Sequence, residues 1–140
     1  MAIRPGDLIF VRPSFNASSP LDSAILAVGN ATIYWLRKRG ILVPTNETSV
    51  HVAIVLHDNL TLIEATPPAV RRTSWKTFVS DWPGATFYHA ALSEPLRQYG
   101  RRAAQLALTQ LGVPYSSDFS PPPRKFYCSS LVDWAYTRAS

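Results

Sequence analysis

The sequence predicts an α+β domain in which an antiparallel sheet packs against helices, and three stretches carry that expectation. VHVAIVLH and LTLIEA are β-rich runs separated by a short polar turn, which reads as a hairpin. SEPLRQYGRRAAQLALTQL has apolar residues at helical spacing, and CSSLVDWAY near the end of the chain repeats that period. With 140 residues, 46% of them hydrophobic, the chain is expected to form one domain, residues 1–140, around a single core.

Taken in order, Pro5-Gly6-Asp7 forms a turn and LIFVR follows as a short apolar run, so a first strand is placed at about 7–12. Residues 13–20 are rich in Ser, Pro and Asn and read as a loop. A helix or broken helix is expected over 21–38, interrupted at Gly29-Asn30 and closed by Gly40. In the hairpin, a two-residue turn at Asp58-Asn59 sets Ala53 opposite Glu64 and His51 opposite Thr66. Those four residues then share one face of the sheet, with His51 and Glu64 as diagonal neighbours roughly 7 Å apart. His57 lies on that face about 20 Å further along, at a rise of roughly 3.3 Å per residue. Pro67-Pro68 ends the second strand and AVRRT offers a short third, after which SWKTFVSD gives a turn or two of helix starting at Thr73 or Ser74. ATFYHAAL, residues 85–92, is a further strand containing His89. Ser93 is placed as the N-cap of a helix running to about Leu111, with Leu96, Tyr99, Ala103, Leu106 and Leu111 inward and Arg97, Arg101 and Arg102 toward water. Gly112 and Pro114 stop it. SSDFSPPPRK is a loop that delivers the chain to Phe126 and Cys128.

The net charge of +5 is spread over Arg37-Lys38-Arg39, Arg71-Arg72 and Arg101-Arg102 rather than gathered with aromatics, so nucleic acid is not an expected partner. No apolar run of about 18 residues and no charged-then-apolar leader is visible, so neither membrane insertion nor a secretory signal is expected. A chain made in the cytoplasm follows, and the four N-x-S/T sequons at Asn16, Asn30, Asn46 and Asn59 are read as chance.

The single cysteine excludes an internal disulfide and leaves two readings, a buried small hydrophobe or a reactive thiol. Cys128, Leu131, Val132 and Ala135 form an apolar stripe, which favours the first. Its place in the first turn of a helix favours the second, because free backbone N–H groups and the helix dipole stabilise a thiolate. A thiolate needs a base that works near neutral pH, and His51 is the better candidate because Glu64 shares its face; His89 has no such partner nearby in sequence. Three dispersed histidines and one cysteine have no metal-ligand spacing, so no metal site is expected.

These motifs resemble the NlpC-type cysteine peptidases, papain-like enzymes that cut peptides of the bacterial cell wall. AAQLALTQLGVPYSSDF and FYCSSLVDWAY are similar to that family's cysteine-bearing half, whereas PGDLIF, HVAIVL and LIEA are similar to its histidine-bearing half. Here the two halves stand in reversed order, as in the circularly permuted YiiX-like branch and the lecithin retinol acyltransferase-like enzymes. The resemblance implies a papain-like fold with a curved sheet of about five strands. It makes Cys128 the nucleophile, His51 the base and Glu64 the orienting group, with Tyr115 and Ser129 as oxyanion or substrate-binding residues and no cofactor. Tyr127, Ser130 and Ala53 depart from the family's usual Asp, Gly and Gly.

The implied activity is amide cleavage in peptidoglycan stem peptides or cross-links, by an antibacterial effector exported without a leader and restrained by an immunity protein. Alternatives are a lipid-directed acyl hydrolase or acyltransferase, with acyl contacts from Ile33 to Leu36, and a catalytically silent binding module.

Overall fold

The computed structural model describes residues 2–12, 51–57, 59–116 and 124–140. The helix expected over 21–38, the Ile33 to Leu36 stretch within it, the loop at 13–20 and the Pro121 to Pro123 run lie outside those residues.

Five strands, β1 (Leu8–Arg12), β2 (His51–His57), β3 (Thr61–Thr66), β4 (Ala69–Ser74) and β5 (Thr86–Ala90), form one sheet in the order β4-β3-β2-β1-β5. All neighbours are antiparallel. Among the described residues three α-helices cover it: α1 (Trp75–Ser80), α2 (Gly100–Leu108) and α3 (Cys128–Ala139). On one face Leu8, Phe10, Val52, Ile54 and Ile63 pack with Ala103, Ala104 and Ala107 of α2 and Leu131, Val132 and Ala135 of α3. On the other face Ile9, Val11, Ala53, Val55 and Leu62 pack with Phe78 of α1, flanked by Trp75, Trp82 and Phe87. Covering on both faces explains why LIFV and VAIVL are continuous apolar runs rather than alternating ones, although the sheet is antiparallel. The architecture is therefore the expected α+β, papain-like one.

The β2–β3 hairpin keeps the expected register where it matters, with Ile54 opposite Ile63 and Val55 opposite Leu62. It departs at the turn. His57 stands opposite Thr61, with a register shift between Val55 and His57, so the connection holds three residues rather than two. The positive φ falls on Leu60, at 60°, while Asn59 accepts from the Thr61 N–H through its side chain (3.2 Å). A three-residue hairpin needs a left-handed residue in its last position, and the bulge absorbs the extra one.

The helix expected from Ser93 to Leu111 is shorter at both ends. A 3₁₀ segment, Leu96–Tyr99, precedes α2, which starts at Gly100. Gly100 lies against Gly6, where a Cβ would be 2.2 Å from the Gly100 Cα. Arg97 is half buried, with its Nε enclosed and unpartnered, instead of facing water. At the other end α2 stops at Leu108, so Leu111 is off the helix and 44% exposed rather than buried.

Beyond α2 the chain does what its composition did not announce: it adds to the outer edge of β4. The Gly112 N–H donates to Val70 O (2.9 Å), Val70 N–H to Val113 O (2.9 Å) and Tyr115 N–H to Pro68 O (3.0 Å). Phe126 then pairs beside that segment, donating to Pro114 O (3.1 Å) and accepting from Ser116 N–H (2.8 Å). The backbone two residues before Cys128 is thereby fixed to the sheet.

The Gly6–Gly100 approach gives a stability test. Gly6→Ala combines a φ of +92° with a backbone clash, and should cost about 3 kcal/mol in chemical denaturation. Gly100→Ala clashes with Pro5 O at 2.7 Å, its other neighbours being at 3.4 Å, and should cost less.

Candidate active site

Cys128 is the first residue of α3, whose twelve residues end at Ala139. Tyr127, the N-cap, is extended, and Ser130 Oγ both accepts from the Tyr127 N–H and donates to the Tyr127 carbonyl, each at 3.0 Å. The Ser130 hydroxyl thereby fixes the entry of the chain into the helix that begins at Cys128. Leu131, Val132 and Ala135 bury the same stripe as Cys128, which is 2% exposed.

His51 opens β2 and points to the α1 side of the sheet, as Ala53 and Val55 do. Its ring lies against Trp82 at a centroid distance of 5.4 Å and an interplanar angle of 29°, and against Phe78 at 5.9 Å. Nε2 meets Glu64 Oε1 at 2.6 Å. The ring also hydrogen-bonds Cys128, and with Nε2 engaged the nitrogen left for that contact is Nδ1. Burial alone would lower the pKa of His51. Hydrogen bonds to Cys128 and Glu64, reinforced by their charge, outweigh it and push the group from its ordinary 6.5 up to about 9. An imidazolium beside the thiol at neutral pH favours the thiolate.

Glu64 is 1% exposed, and a carboxylate that deep requires partners for both oxygens. His51 takes Oε1; Arg71 donates to Oε2 through Nε at 3.0 Å and lies 2.9 Å away through Nη2. Arg71 also pairs with Asp81, just beyond α1. The expected trio of Cys128, His51 and Glu64 is thus brought together, and Arg71, Asp81 and Trp82 join it unannounced. Arg71 had a usable signal: a two-residue turn at Pro67-Pro68 sets it directly opposite Glu64, as observed. Asp81 and Trp82 had none, because their place depends on how α1 folds back over the sheet.

Tyr115 lies close enough to Cys128 for charge coupling, and burial first, then that charge, push its phenol up to about 12. It stays an O–H donor at neutral pH. Ser129 is 1% exposed and its Oγ has no hydrogen-bond partner. His89 does find a carboxylate, although one 82 residues away in sequence: its Nε2 is 2.7 Å from Asp7 Oδ2, which also accepts from the Arg4 N–H at 3.0 Å. That pair ties β5 to the turn before β1, and His51 is the histidine that bonds Cys128. His57 is exposed at the far end of β2.

The ring of His51 provides a direct measurement. Its carbon-bound protons should titrate by NMR with a midpoint near 9, and Glu64→Gln should lower that midpoint by about one pH unit or more.

A family model described as "permuted papain-like amidase enzyme, YaeF/YiiX, C92 family" matches residues 2–140. Among solved structures, the crystal structure of the metalloprotein YiiX from Escherichia coli O157:H7 is similar, with a TM-score of 0.65 and 23% identity over 99% of this chain and 67% of that one. No curated protein matches the sequence significantly. Although that neighbour is titled a metalloprotein, no group of three or more His, Cys, Asp or Glu clusters among the described residues here. The Glu64 oxygen that His51 leaves free takes the guanidinium of Arg71, which does not fit a metal ligand. The sheet and its helices, the contact between Cys128 and His51, and a family match over nearly the whole length place this chain in the permuted papain-like YaeF/YiiX amidase family, as a cysteine hydrolase.

Proposed function

We propose that the chain hydrolyses an amide bond in peptidoglycan stem peptides or cross-links, with Cys128 as nucleophile, His51 as base and Glu64 as orienting group. The observation that carries this reading is the use of both ring nitrogens of His51, one on Cys128 and the other on a buried carboxylate. Glu64 fixes the tautomer and balances the imidazolium; the imidazolium holds the thiolate.

The reaction follows from those positions. With the thiol proton already resting on His51 Nδ1, the thiolate sulfur attacks the carbonyl carbon. Negative charge then builds on the carbonyl oxygen, where the backbone N–H of Cys128 at the start of α3 and the Tyr115 hydroxyl can donate. The next residue, Ser129, carries a buried hydroxyl that has no hydrogen-bond partner among the described residues. His51 returns its proton to the departing amine as the C–N bond breaks, leaving a thioester on Cys128. Water, deprotonated by the same ring, attacks the thioester and releases the acid and the free thiol. Every proton is accounted for by His51.

The choice of peptidoglycan is supported by the likeness of the motifs to wall-cutting peptidases and by the net charge of +5, which suits an anionic polymer. In this reading the chain is exported to the wall of a rival cell as an effector and is restrained by an immunity protein. Among the described residues no helix is long and apolar enough to cross a membrane.

Purified peptidoglycan digested by the wild type should yield new fragments by mass spectrometry, and Cys128→Ala should yield none. Glu64→Gln should lose on the order of 10²-fold or more in kcat, and Tyr115→Phe on the order of 10²-fold. Acyl release from phospholipid vesicles without wall fragments would move the substrate to lipid; neither product would make the chain a silent binding module.

A further inference from the structure

Glu64 has two oxygens, and the catalytic reading uses one. The other is held at the 3.0 Å and 2.9 Å contacts by Nε and Nη2 of Arg71, directly across the β3–β4 pair. We propose that Arg71, steered by Asp81, is a positioning residue for the catalysis: by holding Oε2 it keeps the Glu64 carboxylate turned so that Oε1 stays on His51 Nε2. This rests on the roles given above to Cys128, His51 and Glu64.

The Glu64–His51 contact is 2.6 Å long in a site where Glu64 is 1% exposed, so its strength depends on Oε1 being aimed at Nε2. If the carboxylate turned away, the imidazolium would lose its partner and, with it, its hold on the thiolate. The planar guanidinium grips the far oxygen without touching the ring nitrogen that faces the sulfur. Holding both oxygens also removes the two-fold freedom of the carboxylate about its last torsion.

Asp81 explains how a partly exposed arginine keeps that aim. A pocket of about 340 Å³ lined by Glu64, Thr66, Pro67, Arg71, Asp81 and Trp82 brings solvent to the clamp, and the Arg71 side chain is 38% exposed. An exposed Arg–Asp pair contributes little stability by itself, so the value of Asp81 lies in orientation. Among the described residues, the titratable groups around Glu64 are His51 from β2, Arg71 from β4 and, through the ring, Cys128 of α3. Asp81 faces Arg71, and Tyr115 and Tyr127 face Cys128. Arg71 is the one cation among these that lies on Glu64 and away from the sulfur.

The test needs no substrate. The rate of Cys128 alkylation by iodoacetamide is followed against pH for the wild type, Arg71→Gln, Arg71→Lys and Asp81→Asn, with circular dichroism melts to verify folding. In the wild type the reactivity should persist well below the ordinary thiol range near ~8.5. Arg71→Gln should move the acid limb up by about one pH unit, Arg71→Lys should restore at least half of that movement, and Asp81→Asn should give a smaller movement in the same direction. Asp81 is 44% exposed at its side chain, so that variant reads out even if changes at Arg71 unfold the chain. An ordinary thiol profile in the wild type would overturn the catalytic reading itself. A low-pH wild-type profile that Arg71→Gln and Asp81→Asn leave in place, or that Arg71→Lys disturbs as much as Arg71→Gln, would overturn the clamp alone.

Discussion

The structure depends on a charged hydrogen bond kept out of water, the 2.6 Å contact between His51 and Glu64. Such a pair is costly to bury and strongly destabilising to break, because removal of either partner strands the other. The fold therefore has to supply accurate register and a further cation. Register comes from the β2–β3 hairpin, whose bulge sits near the turn and leaves Ile54 opposite Ile63 beside the histidine end. The cation comes from β4, one strand further, where the Pro67-Pro68 turn brings Arg71 across from Glu64.

The thiol reaches this pair from the other side of the sheet. Cys128 belongs to the helix layer over Val52 and Ile54, whereas His51 stands among Phe78 and Trp82 on the opposite face. The two meet at the start of β2. The meeting is held by two devices: the pairing of residues 112–115 along the β4 edge, with Phe126 pairing in turn to Pro114 and Ser116, and the Ser130 hydroxyl that closes the first turn of α3. At the far end of α3, Tyr136 hydrogen-bonds the Gly6 carbonyl and locks the helix to the turn before β1. Aromatic cover by Trp82 and Phe78 limits water at the His51 ring, which strengthens every charge interaction it makes.

Much of this was legible in the sequence, for identifiable reasons. The hairpin register follows from side-chain alternation, so His51 and Glu64 could be paired before any coordinates, and the apolar period of CSSLVDWAY puts Cys128 at a helix start. The permuted motif order then fixed the fold. What was not legible depended on contacts distant in sequence. Gly100 packs against Gly6, some ninety residues earlier. His89 finds Asp7 only because β5 pairs with β1. Arg71 reads as one more scattered surface charge until β4 is paired with β3, and Asp81 reaches it only once α1 folds back over the sheet.

The central claim is that a buried carboxylate holds His51 protonated so that Cys128 rests as a thiolate. The most direct measurement is the difference in ultraviolet absorbance near ~240 nm, where a thiolate absorbs, between the wild type and Cys128→Ala across pH. The account predicts that the thiolate signal persists well below the ordinary thiol pKa of about 8.5 and is lost in Glu64→Gln. A signal that appears only above that pH in the wild type, or that Glu64→Gln leaves in place, would contradict it.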